Sequence, residues 1–286
     1  IEPNTALKAE INELKRLYAI ADGIRDNQKG LALIRALGKA LPSVVEKGGL
    51  RKAVIFTESV RTQTYLKDLL SANGYDGQIV LMNGSNNDPE SQAIYRAWRD
   101  KHKDAGSLSG SKTADTKAAI VEKFRTDGVI LIATESGGEG INLQFCSLLI
   151  NYDLPWNPQR VEQRIGRCHR YGQKIDVAVL NFINMGNRAE RRVYQLLNEK
   201  FHLFDGVFGA SDEVLGAIES GVDIEQRILA VYQQCRSVQQ VDEDFDKLQD
   251  DLKETIEQRH DLARQAILQN MDENVVQRLK VKGQDT

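Results

Sequence analysis

The chain has 286 residues, 41% of them hydrophobic, which is enough to bury the core of one large or two modest domains. Its formal net charge of -3 excludes a surface that is basic throughout, so any contact with nucleic acid must be local. The three cysteines are far apart and form no C-x-x-C pair, which favours a reducing compartment over a disulfide framework or a zinc site. No apolar run reaches the roughly 18 residues of a membrane span. We therefore predict a cytoplasmic protein without a membrane partner, and the first residue, Ile1, suggests a piece of a longer one.

The predicted elements fall into three regions along the chain. Helical spacing predicts an N-terminal helical segment over residues 1–43 and an all-helical extension over residues 206–286. Between them, strands alternate with helices, which predicts an α/β lobe of three layers with a mostly parallel sheet over residues 44–205. The strands are expected at residues 53–56, 78–82, 129–133, 148–152 and 177–183.

Two polar stretches interrupt this pattern. Residues 86–116 are rich in polar residues and glycine, and we interpret them as an exposed insertion, with a helix over residues 91–100 as an option inside it. The acidic run from Asp242 to Asp251 lies in helical sequence and is typical of a solvated helix face.

A glycine-rich turn follows the predicted strand at 129–133. Gly137, Gly138 and Gly140 permit positive φ and a close approach of the backbone to a phosphate. The amides of Asn142 and Gln144 could bond a phosphate or a ribose. Glycines at strand–helix junctions often serve only to turn the chain, so both interpretations remain open.

A ladder of arginines follows, with Arg160, Arg164, Arg167 and Arg170 spaced three or four residues apart. On a helix this spacing predicts guanidinium groups along one face, where they could bind one polyanion. A surface helix crossed by salt bridges is the alternative. Phosphoryl transfer is a chemistry that such arginines suit, because a guanidinium can stabilise the charge of the transferring phosphate.

The sequence lacks the other parts of a nucleotide-hydrolysing site. It contains no G-x-x-x-x-G-K-[ST] motif, and no apolar strand ends in an acidic pair that could hold magnesium. Its four histidines are scattered and suggest neither a metal site nor a nucleophilic triad. The chain by itself is therefore not expected to bind and hydrolyse a nucleotide in the P-loop manner.

Taken together, ATESGGEGINLQ and LLINYDLPWNPQRVEQRIGRCHRYGQ, residues 133–144 and 148–173, resemble the second RecA-like lobe of the Swi/Snf-type ATPases of helicase superfamily two. VIFTESVRTQTYLKDLL, residues 54–70, is similar to the first strand and helix of that lobe. The sequence EGINLQ, residues 139–144, and the sequence after residue 202 resemble the bacterial, RapA-like branch. The resemblance implies a RecA-like lobe followed by a helical extension.

The resemblance also implies roles for individual residues. Arg167 and Arg170 would be arginine fingers that complete an ATP site whose P-loop lies on another lobe. Gly140 and Asn142 would lie beside the nucleotide, with Gln163 linking that cleft to the nucleic acid. The residues expected to contact nucleic acid are Thr134, Ser136, Gly137, Gly138, Asn83, Gly84 and Ser85.

The implied activity is ATP-dependent translocation along double-stranded DNA. ATP and Mg²⁺ would be held mainly by the first RecA-like lobe, which this chain lacks, so the chain alone should be inactive. Its partners would be duplex DNA, that first lobe and another protein such as RNA polymerase, in the bacterial cytoplasm near the nucleoid. A non-catalytic interaction module and an RNA-directed helicase lobe are the alternatives.

Overall fold

The computed structural model describes residues 3–23, 27–103, 108–169, 175–199, 221–234, 239–248 and 250–251. They fall into two compact units, one from residues 1–152 and 168–182 and the other from residues 153–167 and 183–286. None of the helices in these ranges has the length and apolar character needed to cross a membrane.

The first unit is built on a five-stranded sheet in which every pairing is parallel. The strands are β1 (Ala53–Thr57), β2 (Ile79–Met82), β3 (Ile130–Thr134), β4 (Leu148–Asn151) and β5 (Ala178–Asn181). Their order in the sheet is β2-β3-β1-β4-β5, so the chain crosses over between neighbouring strands. The predicted α/β lobe with a mostly parallel sheet is thus confirmed.

The helices connect these strands and extend the chain at both ends. Asn27, Ser59, Asp88 and Ser111 cap four of them, and each side chain accepts bonds from backbone N–H groups of the first turn. The helices are α1 (Pro3–Asp22), α2 (Gln28–Glu46), α3 (Val60–Leu70), α4 (Pro89–His102), α5 (Lys112–Thr126), α6 (Glu135–Gly138), α7 (Pro158–Cys168), α8 (Arg188–Glu199) and α9 (Gly221–Gln234), with residues 239–248 and 250–251 also helical.

The two faces of the sheet bury alternate residues of the strands. On one face Ile55, Ile132 and Ile150 join a core cluster with Leu37 of α2 and Leu66 of α3. The intervening residues, which point to the opposite face, are buried as well. This face is covered by α5. Val80 of β2 and Phe124 of α5, for example, are both so close to Gly128 that a Cβ built there would touch them. A sheet with helices on both faces is the three-layered arrangement that the sequence predicts.

One expected domain boundary and the expected insertion both lie within helical structure. The boundary at residues 43–44 falls inside α2, whose buried side chains belong to the core of the sheet. The segment at 86–116 contains α4 and the first turn of α5, and it buries Asn86, Ser91 and Asp115. Part of this segment is therefore packed structure and not exposed loop.

The second unit gives the acidic run a set of partners. Asp242 pairs with Arg188 of α8, and its Oδ1 also accepts a bond from Arg192 Nε at 3.2 Å. Arg192 Nη2 lies 3.3 Å from an oxygen of Asp246. Asp242 is thus half-buried against α8, whereas Glu243, Asp246, Asp250 and Asp251 are exposed, as expected of a solvated helix face.

The packing of α2 leads to a prediction about stability. Leu37→Ala removes a fully buried side chain from the core cluster and should lower the free energy of unfolding by about 2–5 kcal/mol. Leu14→Ala on α1, where the leucine is 60% exposed, should change it by less than about 0.5 kcal/mol. Urea denaturation followed by circular dichroism measures both, and equal effects would contradict the assignment of α2 to the core.

Candidate functional site

The carboxyl ends of β2 and β3 bring two predicted contact segments together. The strands are neighbours and run in parallel, with Met82 opposite Ala133, so the residues that follow them lie at one edge of the sheet. A Cβ built on Gly84 would lie 2.7 Å from Ser136 Oγ. Gly84, Ser85 and Ser136 are exposed at this junction, and we call these three residues the edge surface.

Two glycines of the turn are required by packing within the protein. A Cβ on Gly137 would lie 2.6 Å from the carbonyl oxygen of Met82 and 2.8 Å from Asn83 Cα. A Cβ on Gly138 would lie 2.7 Å from the ring of Phe56. Both glycines are buried, as is Thr134, whose hydroxyl oxygen accepts a bond from Gly137 N at 3.4 Å. These three predicted contact residues therefore support the edge surface from below.

Asparagines build the turn that follows β2. Asn83 Oδ1 accepts bonds from Asn86 N at 2.8 Å, Ser85 N at 3.1 Å and Ser85 Oγ at 3.0 Å. Asn86 Oδ1 accepts a bond from Asn83 N at 2.8 Å, and Asn86 has a left-handed backbone with φ of 46°. Asn83 is 9% exposed, so its carboxamide shapes the turn while Gly84 and Ser85 face outward.

Lys117 of α5 fixes the other side of the junction. Its ammonium donates bonds to the carbonyl oxygens of Ser136 at 3.1 Å and Glu139 at 2.8 Å. These carbonyls lie at the end of α6, where backbone acceptors have no partner within the helix. Lys117 could not be predicted as part of this site, because no local pattern indicates a bond to residues 19 and 22 positions away.

Gly140 and Asn142, predicted to lie beside a nucleotide, follow this turn. Gly140 has φ of 76°, a conformation that favours glycine, and both residues are exposed. They line an open cavity of about 830 Å³ together with Lys117, Glu122 and other residues of α5. Glu122 accepts bonds from Lys101 and Trp98, and the bond from Lys101 is the main reason that the pKa of its carboxyl is lowered.

The arginine helix α7 belongs to the second unit up to Arg167. It begins at Pro158, and Asn157 Oδ1 accepts a bond from Gln159 N at 2.9 Å, as an N-cap residue does. Trp156, Asn157 and Pro158 therefore form the start of this helix. Gln163 is exposed and Arg167 is half-buried, while Arg170 lies outside the described residues.

The expected arginine ladder is not a single exposed row. Arg164 is 2% exposed and donates a bond from Nη1 to the carbonyl oxygen of Asp153 at 2.8 Å. Arg160 lies 3.4 Å from a carboxylate oxygen of Glu225. The prediction that these arginines together bind one polyanion does not hold for Arg164, because this side chain is buried and donates to a carbonyl of the protein.

The sequence contains no P-loop. Within the described ranges, no group of three or more His, Cys, Asp or Glu side chains could hold a metal ion.

Part of the chain matches a known protein family. Residues 100–172, which include α5, β3, the glycine turn, β4 and all of α7, match the family described as helicase conserved C-terminal domain. This stretch of the chain is therefore similar to a helicase C-terminal domain.

Among individual proteins, the chain is 42% identical over 168 residues to "Uncharacterized ATP-dependent helicase YqhH" of Bacillus subtilis, covering 59% of this chain and 25% of that protein. It is 32% identical over 143 residues to "DNA repair and recombination protein RAD54" of Saccharomyces cerevisiae, covering 49% of this chain and 16% of that protein. A crystal structure of the C-terminal part of the Fun30 ATPase domain has a TM-score of 0.41 and 21% identity, covering 77% of this chain and 62% of that one. The chain spans about a quarter or less of the length of these two sequence relatives.

The contact at Gly137 leads to a second prediction. Gly137→Ala should force β2 and α6 apart, because the new methyl group meets backbone atoms that cannot rotate away. We expect a loss of stability of about 1–3 kcal/mol, measured by thermal denaturation. Gly38→Ala, at an exposed position of α2 with no atom within 4 Å, is the matched control and should be neutral or stabilising. An equally stable Gly137→Ala protein would contradict the packing described for this junction.

Proposed function

We propose that this chain is the second RecA-like lobe of an ATP-dependent translocase that moves along double-stranded DNA. The observation that carries the proposal is the edge surface, where Gly84, Ser85 and Ser136 meet at the carboxyl end of a parallel sheet. Ligands of open α/β sheets bind at this end of the strands. The match of residues 100–172 to a helicase C-terminal domain supports a nucleic-acid ligand at that edge.

The chemistry of the edge surface suits a phosphate backbone. Hydroxyl groups and exposed backbone N–H groups bind phosphate oxygens without reading the base sequence. A translocase needs such contacts, because it must bind every step of the strand equally well. Thr134, Gly137 and Gly138 would hold the exposed residues in place, and Asn83 would shape the turn beside them.

The proposed role of α7 is to complete an ATP site on a separate, P-loop-bearing lobe. Arg167 and Arg170 would be the arginine fingers, and Gln163 would link the nucleotide to the nucleic acid, with Gly140 and Asn142 beside the nucleotide. A guanidinium can stabilise the charge that spreads over the transferring phosphoryl group. The buried bond from Arg164 to Asp153 supports this role, since it ties α7 to the preceding turn and so fixes the helix that carries Arg167.

The arginine assignment is tested in a protein that joins this chain to a P-loop-bearing first lobe. Arg167→Ala or Arg170→Ala should lower ATP turnover by on the order of 10³-fold, because each removes a cation from the transition state. Arg160→Ala should stay close to the parent protein, since Arg160 is half-buried and already pairs with Glu225 of the same chain. Residues 1–286 alone should hydrolyse no ATP. Near-normal turnover in both the Arg167→Ala and the Arg170→Ala variant, or hydrolysis of ATP by residues 1–286 alone, would contradict the assignment of these arginines to a shared ATP site.

The nucleic-acid assignment is tested by binding of the chain itself. Residues 1–286 should bind duplex DNA of any sequence, with an affinity that falls as salt rises. Ser136→Ala should weaken binding by roughly three- to tenfold, the effect of one hydrogen bond, with the salt dependence unchanged. Ser85→Ala should weaken it by less, because the Ser85 hydroxyl must release Asn83 Oδ1 before it can donate to a phosphate oxygen. Ser71→Ala, ahead of β2, is the control and should bind normally. Fluorescence anisotropy measures these affinities, and tighter binding to double-stranded RNA than to duplex DNA would favour the RNA-directed alternative.

A further inference from the structure

Gln63 of α3 is a polar residue in a position where the helix is otherwise apolar. The buried residues of α3 are Gln63, Leu66 and Leu70, spaced three and four apart along one face. Gln63 is 1% exposed. An amide at such a position is costly to bury unless its groups are bonded.

The amide of Gln63 bonds to both strands below the edge surface. Nε2 donates one bond to the carbonyl oxygen of Met82 at 3.0 Å and another to that of Ile132 at 2.8 Å. Met82 is the last residue of β2, and Ile132 lies two residues before the end of β3. One side chain therefore bonds to the carboxyl ends of two neighbouring strands.

The oxygen of the same amide reaches the turn after β2. Asn83 Nδ2 donates to Gln63 Oε1 at 3.5 Å, and the oxygen of the Asn83 carboxamide accepts the bonds from Ser85 and Asn86. A continuous chain of hydrogen bonds thus runs from α3 through Asn83 to Ser85. Networks of this kind fix geometry when every member is bonded.

We propose that Gln63 is a positioning residue of the nucleic-acid surface, which holds the turn carrying Gly84 and Ser85 at the correct distance from Ser136. This inference rests on the proposed function of the edge surface. A Cβ built on Gly84 would lie only 2.7 Å from Ser136 Oγ, so the turn and Ser136 are close neighbours and a shift of the turn alters their spacing. Gln63 acts through the turn and does not touch the nucleic acid itself.

The test compares Gln63→Leu with Lys52→Met in the full 286-residue chain. Lys52 is also buried, and its ammonium donates to the main-chain carbonyl of Gly128 at 2.5 Å. Lys52 directly precedes β1, however, and so lies at the amino end of the strands, opposite the edge surface. Binding to duplex DNA is measured by anisotropy over a salt series, at a temperature where both variants are fully folded. Gln63→Leu should raise Kd about tenfold with an unchanged salt slope, because no cation is lost, whereas Lys52→Met should keep Kd within about twofold.

A double variant separates positioning from general loss of stability. If Gln63 acts through the turn, Gln63→Leu with Ser85→Ala should bind about as weakly as Gln63→Leu alone, because the contact of Ser85 is already lost. Gln63→Met keeps an unbranched side chain and carries the test if the leucine variant does not fold. Additive effects, an unchanged Kd in Gln63→Leu, or an equal loss in Lys52→Met would overturn the inference.

Hydrogen exchange of the free protein distinguishes this inference from the proposed function. The amides of residues 83–86 should exchange faster in Gln63→Leu than in the parent chain, with or without DNA. Unchanged exchange would overturn the role of Gln63 even if DNA binds. Faster exchange in Gln63→Leu, together with no binding of duplex DNA by the parent chain, would instead support the positioning role and reject the proposed ligand.

Discussion

The close approach of α6 to the end of β2 is the constraint on which the rest of the first unit depends. At Gly137 the backbone of one element lies against that of the other, with no room for a side chain. A contact between two backbones cannot adjust by rotating a side chain, so it fixes the distance between the elements. The turn after β2 and the turn after β3 are therefore one rigid junction and not two independent loops.

Two long-range polar bonds hold this junction from different elements. Gln63 of α3 bonds to both strand ends, while Lys117 of α5 bonds to the carbonyls at the end of α6. Helices on the two faces of the sheet thus converge on one edge. A sheet core alone would fix the strands but not the turns beyond them. The proposed phosphate contacts need such support, because exposed hydroxyl groups bind weakly unless their positions are fixed in advance.

Much of the fold could be predicted from the sequence, because its cause is local. The apolar runs at residues 53–56 and 148–152 match β1 and β4 to within a residue, since a strand buried on both faces needs a continuous apolar run. The sequence also indicated the glycine-rich segment after β3, but it did not show why glycine is needed there. Gly137 and Gly138 pack against Met82, Asn83 and Phe56, and no local pattern shows which segments meet in space. Gln63 left a signal, a polar residue in an apolar stripe, that only its partners could explain.

The arginine helix shows the same limit in its charges. Spacing of three or four residues places Arg160, Arg164 and Arg167 near one another on α7, but it does not tell which of them is buried. Arg164 bonds to the carbonyl of Asp153, and Arg160 pairs with Glu225, so two charges of the ladder have protein partners. These partners reduce the repulsion among the arginines of α7, so the spacing alone does not require a bound polyanion. A phosphate is still the ligand that suits Arg167, but the argument for it rests on the resemblance of the motif and not on crowded charge.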